Sequence, residues 1–175
     1  GEQTDFVSAT TFYPLWAKLC TQEQAELLVK NALPKLKCKG GIASTTEKSR
    51  GEINEINPQR QWDYPYGWAP HQMMIWRGLL HYKFYDEAQE LVYRWLWLLL
   101  TNAVNYNGTL AEKYDVVNCT LKIDTEYGNV GTNFAYVPDG GFGWMNASYQ
   151  YGMAILDAKY VALLNNLADP DQLFN

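Results

Sequence analysis

Asp86-Glu87-Ala88-Gln89-Glu90-Leu91-Val92-Tyr93-Arg94-Trp95-Leu96-Trp97-Leu98-Leu99-Leu100-Thr101-Asn102-Ala103 is the stretch on which the fold turns. Ala88, Leu91, Val92, Trp95, Leu96, Leu99 and Ala103 recur at i, i+3, i+4 and i+7, the period of a helix with one apolar face, whereas a strand would alternate. Asp86 reads as the N-cap with Gln89 at the capping-box position, and Asn107-Gly108 reads as the stop. The densest apolar run, Trp95 to Leu100, is far short of the ~20 residues a membrane-spanning helix needs, so no membrane partner is expected.

The same period recurs on both sides. Thr21 and Gln24 form a second capping-box signature, and Ala25, Leu28, Val29, Ala32 and Leu33 continue it until Pro34. A Gly-, Ser-, Thr-, Lys- and Glu-rich stretch, residues 35–58, reads as a loop. A helix is predicted after Pro70, carrying Met73, Met74, Trp76, Leu79 and Leu80. Another is predicted from Asn146 to about Asn166, with Tyr149, Met153, Leu156, Tyr160 and Leu163 three or four apart. The expectation is an all-α chain with no sheet beyond short pairs inside residues 107–145. That connection is long, rich in glycine and carboxylates, and of the kind that carries function. The segments before the second helix and between the third and fourth all join helix ends, so they are expected at one rim.

Composition narrows the partners. With 14 basic and 19 acidic residues the net charge is −5, and no basic stripe exists to meet nucleic acid. Cys20, Cys38 and Cys119 lie far apart, which fits free thiols in a reducing compartment. With His71 and His81 the only histidines, no metal site is expected. The chain begins at Gly1 rather than Met, and a leader or a further N-terminal portion is compatible with that. Seven Trp, thirteen Tyr and six Phe make 15% of the chain; flat apolar rings suit sugars, although on composition alone a large aromatic core is the stronger reading.

Three stretches are unusual for scaffolding. They are Gln61-Trp62-Asp63-Tyr64-Pro65-Tyr66-Gly67-Trp68-Ala69-Pro70, then Glu112-Lys113-Tyr114-Asp115 followed by Glu126-Tyr127-Gly128, and Gly141-Phe142-Gly143-Trp144-Met145-Asn146. Glycoside hydrolysis needs one carboxyl group to protonate the leaving oxygen and a second to activate water or attack the sugar. Glu112, Asp115 and Glu126 lie in or near the long loop and are candidates; as solvated charges or partners of Lys113 and Lys122 they would be only structural. Trp62 and Trp68 flank Pro65 and Gly67 beside Asp63, a stiff aromatic and acidic segment that suits a sugar ring or a core.

These stretches resemble the trehalases of glycoside hydrolase family 37. The 61–70 run matches a family signature along its length. Glu112-Lys113-Tyr114-Asp115 and Gly141-Phe142-Gly143-Trp144-Met145-Asn146 match further motifs in the same order, and Phe12-Tyr13-Pro14-Leu15-Trp16 resembles a segment near the barrel core. Asp139-Gly140 stand one residue out of step with the acid that usually precedes the Gly-Phe-Gly-Trp motif. The resemblance is to fungal neutral, cytosolic trehalases, which implies a cytoplasmic setting. The resemblance implies the last helical hairpins of an (α/α)6 barrel, residues 1–175 being the C-terminal part of one catalytic domain. It implies inverting hydrolysis of α,α-trehalose to two glucose molecules, with no cofactor. It puts the general base on Glu112 and substrate binding on Gln61, Trp62, Asp63, Glu126, Phe142 and Trp144. The general acid and the sugar-binding arginines belong to motifs upstream of those present here, and any regulatory partner would act through an N-terminal part. The other readings are a second kind of helical-barrel α-glucosidase, or a non-catalytic carbohydrate-binding or regulatory fragment.

Overall fold

The computed structural model describes residues 2, 4–123 and 142–174. Its helices are α1 (Tyr13–Trp16), α2 (Gln22–Asn31), α3 (Leu33–Leu36), α4 (Glu47–Arg50), α5 (Ala69–His81), α6 (Tyr85–Asn105), α7 (Gly143–Ile155), α8 (Ala158–Asn165) and α9 (Pro170–Leu173). The short strands are β1 (Lys37–Cys38), β2 (Gly41–Ile42), β3 (Tyr66–Gly67) and β4 (Tyr114–Asp115). The fold is all-α: the described residues add only two two-stranded antiparallel pairs, β1 with β2 and β3 with β4. The expectation that strand pairs would be confined to residues 107–145 is corrected, since β1–β2 lies outside them and β3 supplies half of the second pair.

Helix α6 is the central element. It packs against α5 and α7 on the predicted stripe, where Ala88, Leu91, Val92, Trp95, Leu96 and Leu99 are buried. The opposite face is also covered. There Tyr93 Oη donates to Ala168 O (2.9 Å), Trp97 Nε1 donates to Leu167 O (3.1 Å), and Arg94 bridges Glu90 (2.8 Å) and Asp171 (2.7 Å). Segments α8 and α9 therefore strap α6, and Lys39 adds an ion pair to Asp169 at 2.7 Å. Two close approaches depend on glycine. A Cβ on Gly78 of α5 would come within 2.9 Å of Leu15 Cβ and Trp16 N, and one on Gly152 of α7 within 2.9 Å of Leu96.

Helix boundaries follow tertiary demands where local signals were ambiguous. Thr21 and Gln24 do form the capping box of α2. Helix α6 starts at Tyr85 with Phe84 as N-cap, so Asp86 lies in its first turn, where a carboxylate still complements the helix dipole. Gln89 is taken for another purpose: it donates to Ile155 O (2.8 Å) and accepts from Asp157 N (2.7 Å). Those two groups are released where the predicted last helix divides, because Leu156 is extended (ψ 130) between α7 and α8. Helix α7 also begins at Gly143, three residues before Asn146.

The stretch 35–58 is not a surface loop throughout. Gly40 to Thr45 are all buried, and their backbone is satisfied inside the core as burial of main chain requires. Gly40 N donates to Val116 O (2.8 Å), Ala43 N to Leu36 O (2.9 Å) and Ser44 N to Tyr66 O (2.8 Å). Gln72, fully buried on α5, holds Ile42 from both sides: Ile42 N donates to its Oε1 (3.0 Å) and its Nε2 donates to Ile42 O (2.7 Å). Small side chains look like loop chemistry, yet here they let the chain pass between α5, α6 and β4. Replacing Gln72 with Leu should leave both Ile42 groups buried and unpaired. A loss of about 2–4 kcal/mol in unfolding free energy of the full-length protein is expected, read by urea titration.

Candidate active site

The described parts of the three motif stretches, residues 61–70, 112–115 and 142–146, meet at one end of the helices, at the N-termini of α5 and α7 and beyond the C-terminus of α6. Trp68 is the N-cap of α5 and is 1% exposed. Its Nε1 donates to Gln61 O at 2.8 Å, which folds the preceding turn back on itself. Trp62 is thereby stacked on Trp68, with ring centroids 3.7 Å apart and planes within 7°. One face of Trp62 is covered while the residue stays 42% exposed. A flat indole held this way loses little freedom on meeting a sugar ring.

The β3–β4 pair brings the acidic motif to this platform. Gly67 pairs with Tyr114 and Tyr66 with Asp115. A Cβ on Gly67 would collide with Val116 Cγ1 and come within 2.9 Å of Ile42 O, so only glycine permits the approach. Within the motif the tasks divide. Asp115 braces the turn that follows: its Oδ1 accepts from Val117 N (2.9 Å) and Asn118 N (2.8 Å), and its Oδ2 from Asn118 Nδ2 (2.8 Å). Tyr114 is fully buried and accepts from Ala111 N through its hydroxyl (3.1 Å). Lys113 faces the aromatic rings, and the Glu112 carboxylate pairs with it. Lys113 Nζ lies 3.2 Å from Glu112 Oε2 and 5.0 Å from the Trp68 ring centre.

The third motif closes the cluster. Phe142 is the N-cap of α7 and packs on Trp144 with centroids 5.0 Å apart. Trp144 meets Trp68 edge-on at 5.6 Å, and its Nε1 donates to Glu112 O at 3.1 Å. Trp62, Glu112, Phe142 and Trp144 thus form one contiguous group, with Gln61 tied in through its carbonyl. Asp63 sits beside Trp62 in the chain, half-buried; burial pushes its carboxyl above the ordinary carboxylate range, against the pull of Arg60 and Arg50. Glu126, and Asp139-Gly140, lie outside the described residues. Among the described residues no cluster of His, Cys, Asp and Glu is arranged to hold a metal ion, and no helix is long and apolar enough to cross a membrane.

Two members of this group escaped sequence reasoning. Lys113 read only as a surface partner for an acid, yet it is 4% exposed. His71, on the first turns of α5, is 7% exposed and meets Trp62 edge-on at 5.3 Å, with the Tyr13 ring 6.2 Å away. A lone histidine carries no period or spacing that could have marked it. Its Nδ1 is buried without a partner among the described residues, and burial pushes its pKa from 6.5 down to about 4.

That shift fixes a pH dependence. The folded state keeps His71 neutral, while the unfolded chain takes up a proton near pH 6.5. The contribution is therefore complete above pH 6.5, falls as the pH drops through that value, and levels off below about 4. Its full size is about 3 kcal/mol. Unfolding free energies of the full-length protein, measured from pH 7.5 to 4, should fall with this profile. His71→Phe should flatten that part of the curve; an unchanged slope would remove His71 as its source.

The whole arrangement has close counterparts. The family model described as Trehalase matches residues 1–157. A probable trehalase of Eremothecium gossypii is 49% identical over 176 residues, covering 99% of this chain and 24% of that protein. The cytosolic neutral trehalase of Kluyveromyces lactis is 48% identical over 175 residues, covering 99% and 23%. The solved structure of neutral trehalase Nth1 from Saccharomyces cerevisiae superimposes with a TM-score of 0.82 at 42% identity, covering 98% of this chain and 27% of that one. The chain thus spans about a quarter of the length of the curated relatives it matches, and its fold is that of part of the trehalase helical barrel.

Proposed function

The chain belongs to the trehalase family, and we propose on that footing that it is the C-terminal part of a single catalytic domain that hydrolyses α,α-trehalose to two glucose molecules with inversion. The observation that carries the reading is the Trp62–Trp68–Trp144 platform closed on Glu112. It supplies a flat apolar surface for a glucose ring and an acidic side chain beside it. Glu112 is the general base: it takes a proton from the water that attacks the anomeric carbon, as the bond to the bridging oxygen breaks. Trp62, Phe142 and Trp144 hold the sugar by stacking and edge contacts, while Gln61, Asp63 and Glu126 hydrogen-bond its hydroxyl groups.

An inverting pair of carboxyl groups stands about 6.5–9.5 Å apart across the sugar, leaving room for the water. The acid partner, which protonates the bridging oxygen, is assigned to a part of the enzyme outside these 175 residues. The reaction needs only water, so no cofactor is invoked. The names of the Kluyveromyces lactis and Pyricularia oryzae relatives as cytosolic neutral trehalases support a cytoplasmic setting, and the separated thiols agree with it.

The anomeric form of the products tests the reading. Full-length protein given α,α-trehalose should release one α- and one β-glucose per turnover, seen by proton NMR before mutarotation. Two α-glucose molecules would mean retention and would require a nucleophile in place of the base. No glucose at all would reject the substrate.

A further inference from the structure

Lysine is among the residues least often buried, because an ammonium group loses its hydration there unless it is paired. Lys113 is nevertheless 4% exposed, in the middle of the aromatic cluster. Its ammonium lies 3.2 Å from Glu112 Oε2 and 5.0 Å from the centre of the Trp68 ring. The Glu112 side chain is itself only 20% exposed. The backbone of Glu112 is fixed independently, by the 3.1 Å hydrogen bond from Trp144 Nε1 to its carbonyl. The lysine therefore adds what the backbone contact cannot, a hold on the carboxylate itself. The indole face offers the ammonium a second attraction that does not compete for the same oxygen.

We infer that Lys113 is the positioning residue for Glu112, using the face of Trp68 as its seat to orient the carboxylate toward the exposed side of the platform. The inference rests on Glu112 being the base. It does not make Lys113 a contact of the sugar. Its effect belongs in the chemical step, where a small misplacement of a reacting group can cost on the order of 10²-fold, and not in substrate binding.

The experiment uses the full-length enzyme and three substitutions. Lys113→Met should lower kcat for trehalose by about 10–10²-fold, with KM and the Kd of a non-hydrolysable trehalose analogue within about threefold of the parent. Lys113→Arg, which keeps the charge and the donors, should recover most of that loss. Where Lys113→Met fails to fold, Lys113→Gln, which fits the site as a neutral donor, is judged by the same criteria. A kcat within about twofold of the parent overturns the inference, as does a parallel loss of analogue binding, which would mark Lys113 as a structural or sugar-contacting group. Glu112→Gln separates the two levels. If Glu112→Gln is inactive and the uncharged Lys113 variants turn over normally, the base assignment stands and the inference falls. If Glu112→Gln retains turnover, the base assignment falls first and takes the inference with it.

Discussion

Glu112→Gln in the full-length protein should lower kcat for trehalose by at least about 10²–10⁴-fold, the usual worth of a positioned acid or base. The amide keeps the shape of the side chain but cannot accept the proton of the attacking water. Little else should change. The amide oxygen can still accept from Lys113 Nζ, now 3.2 Å from Oε2, and the hydrogen bond from Trp144 Nε1 goes to the Glu112 backbone carbonyl and not to the side chain. The Trp62–Trp68 stack is untouched by the exchange. Trehalose binding measured by calorimetry should therefore stay within a few-fold of the parent, separating a lost chemical group from a collapsed site. Near-normal turnover would remove Glu112 from the role of base.

The 175 residues expressed alone should release no measurable glucose from trehalose. Glu112, the proposed base, and the aromatic platform are within them, but a leaving oxygen without a proton donor departs slowly, at a cost of about 10²–10⁴-fold before other lost sugar contacts are counted. The isolated chain should also associate. Leu19 is 77% and Leu27 55% exposed along an apolar groove of about 500 Å3 between α1 and α2, which Pro14, Cys20 and Leu28 also line. Leu99, Leu100, Leu110, Met145 and Tyr149 line a second cleft of about 310 Å3. Apolar surface of this kind drives association in water. Light scattering with a coupled glucose assay reads both outcomes. Robust turnover by the soluble, monomeric chain would place the proton donor among these residues.

The amino-acid sequence alone makes the helical class legible, because a 3.6-residue apolar period over Ala88–Leu99 depends only on local geometry and the need to bury one face. It also carried the family resemblance, since the run of residues 61–70 is long and Trp-rich. The capping box at Thr21 was legible for the same local reason, as a reciprocal bond between residues three apart. What it could not determine are partnerships between residues far apart in the chain. Gln89 carries the letter of a capping box but serves Ile155 and Asp157, 66 and 68 residues away. Gly40 to Thr45 read as loop because most of them are small and two are glycine, and became core because Gln72, Tyr66 and Val116 satisfy their backbone. Lys113 and His71 had no pattern to betray them. A lysine next to a glutamate is common on any surface, and only the β3–β4 pairing, set by the bare Cα of Gly67, turns this one inward against Trp68. Local periodicity is written in consecutive residues; burial of an ammonium or an imidazole is decided by what the rest of the chain brings to it.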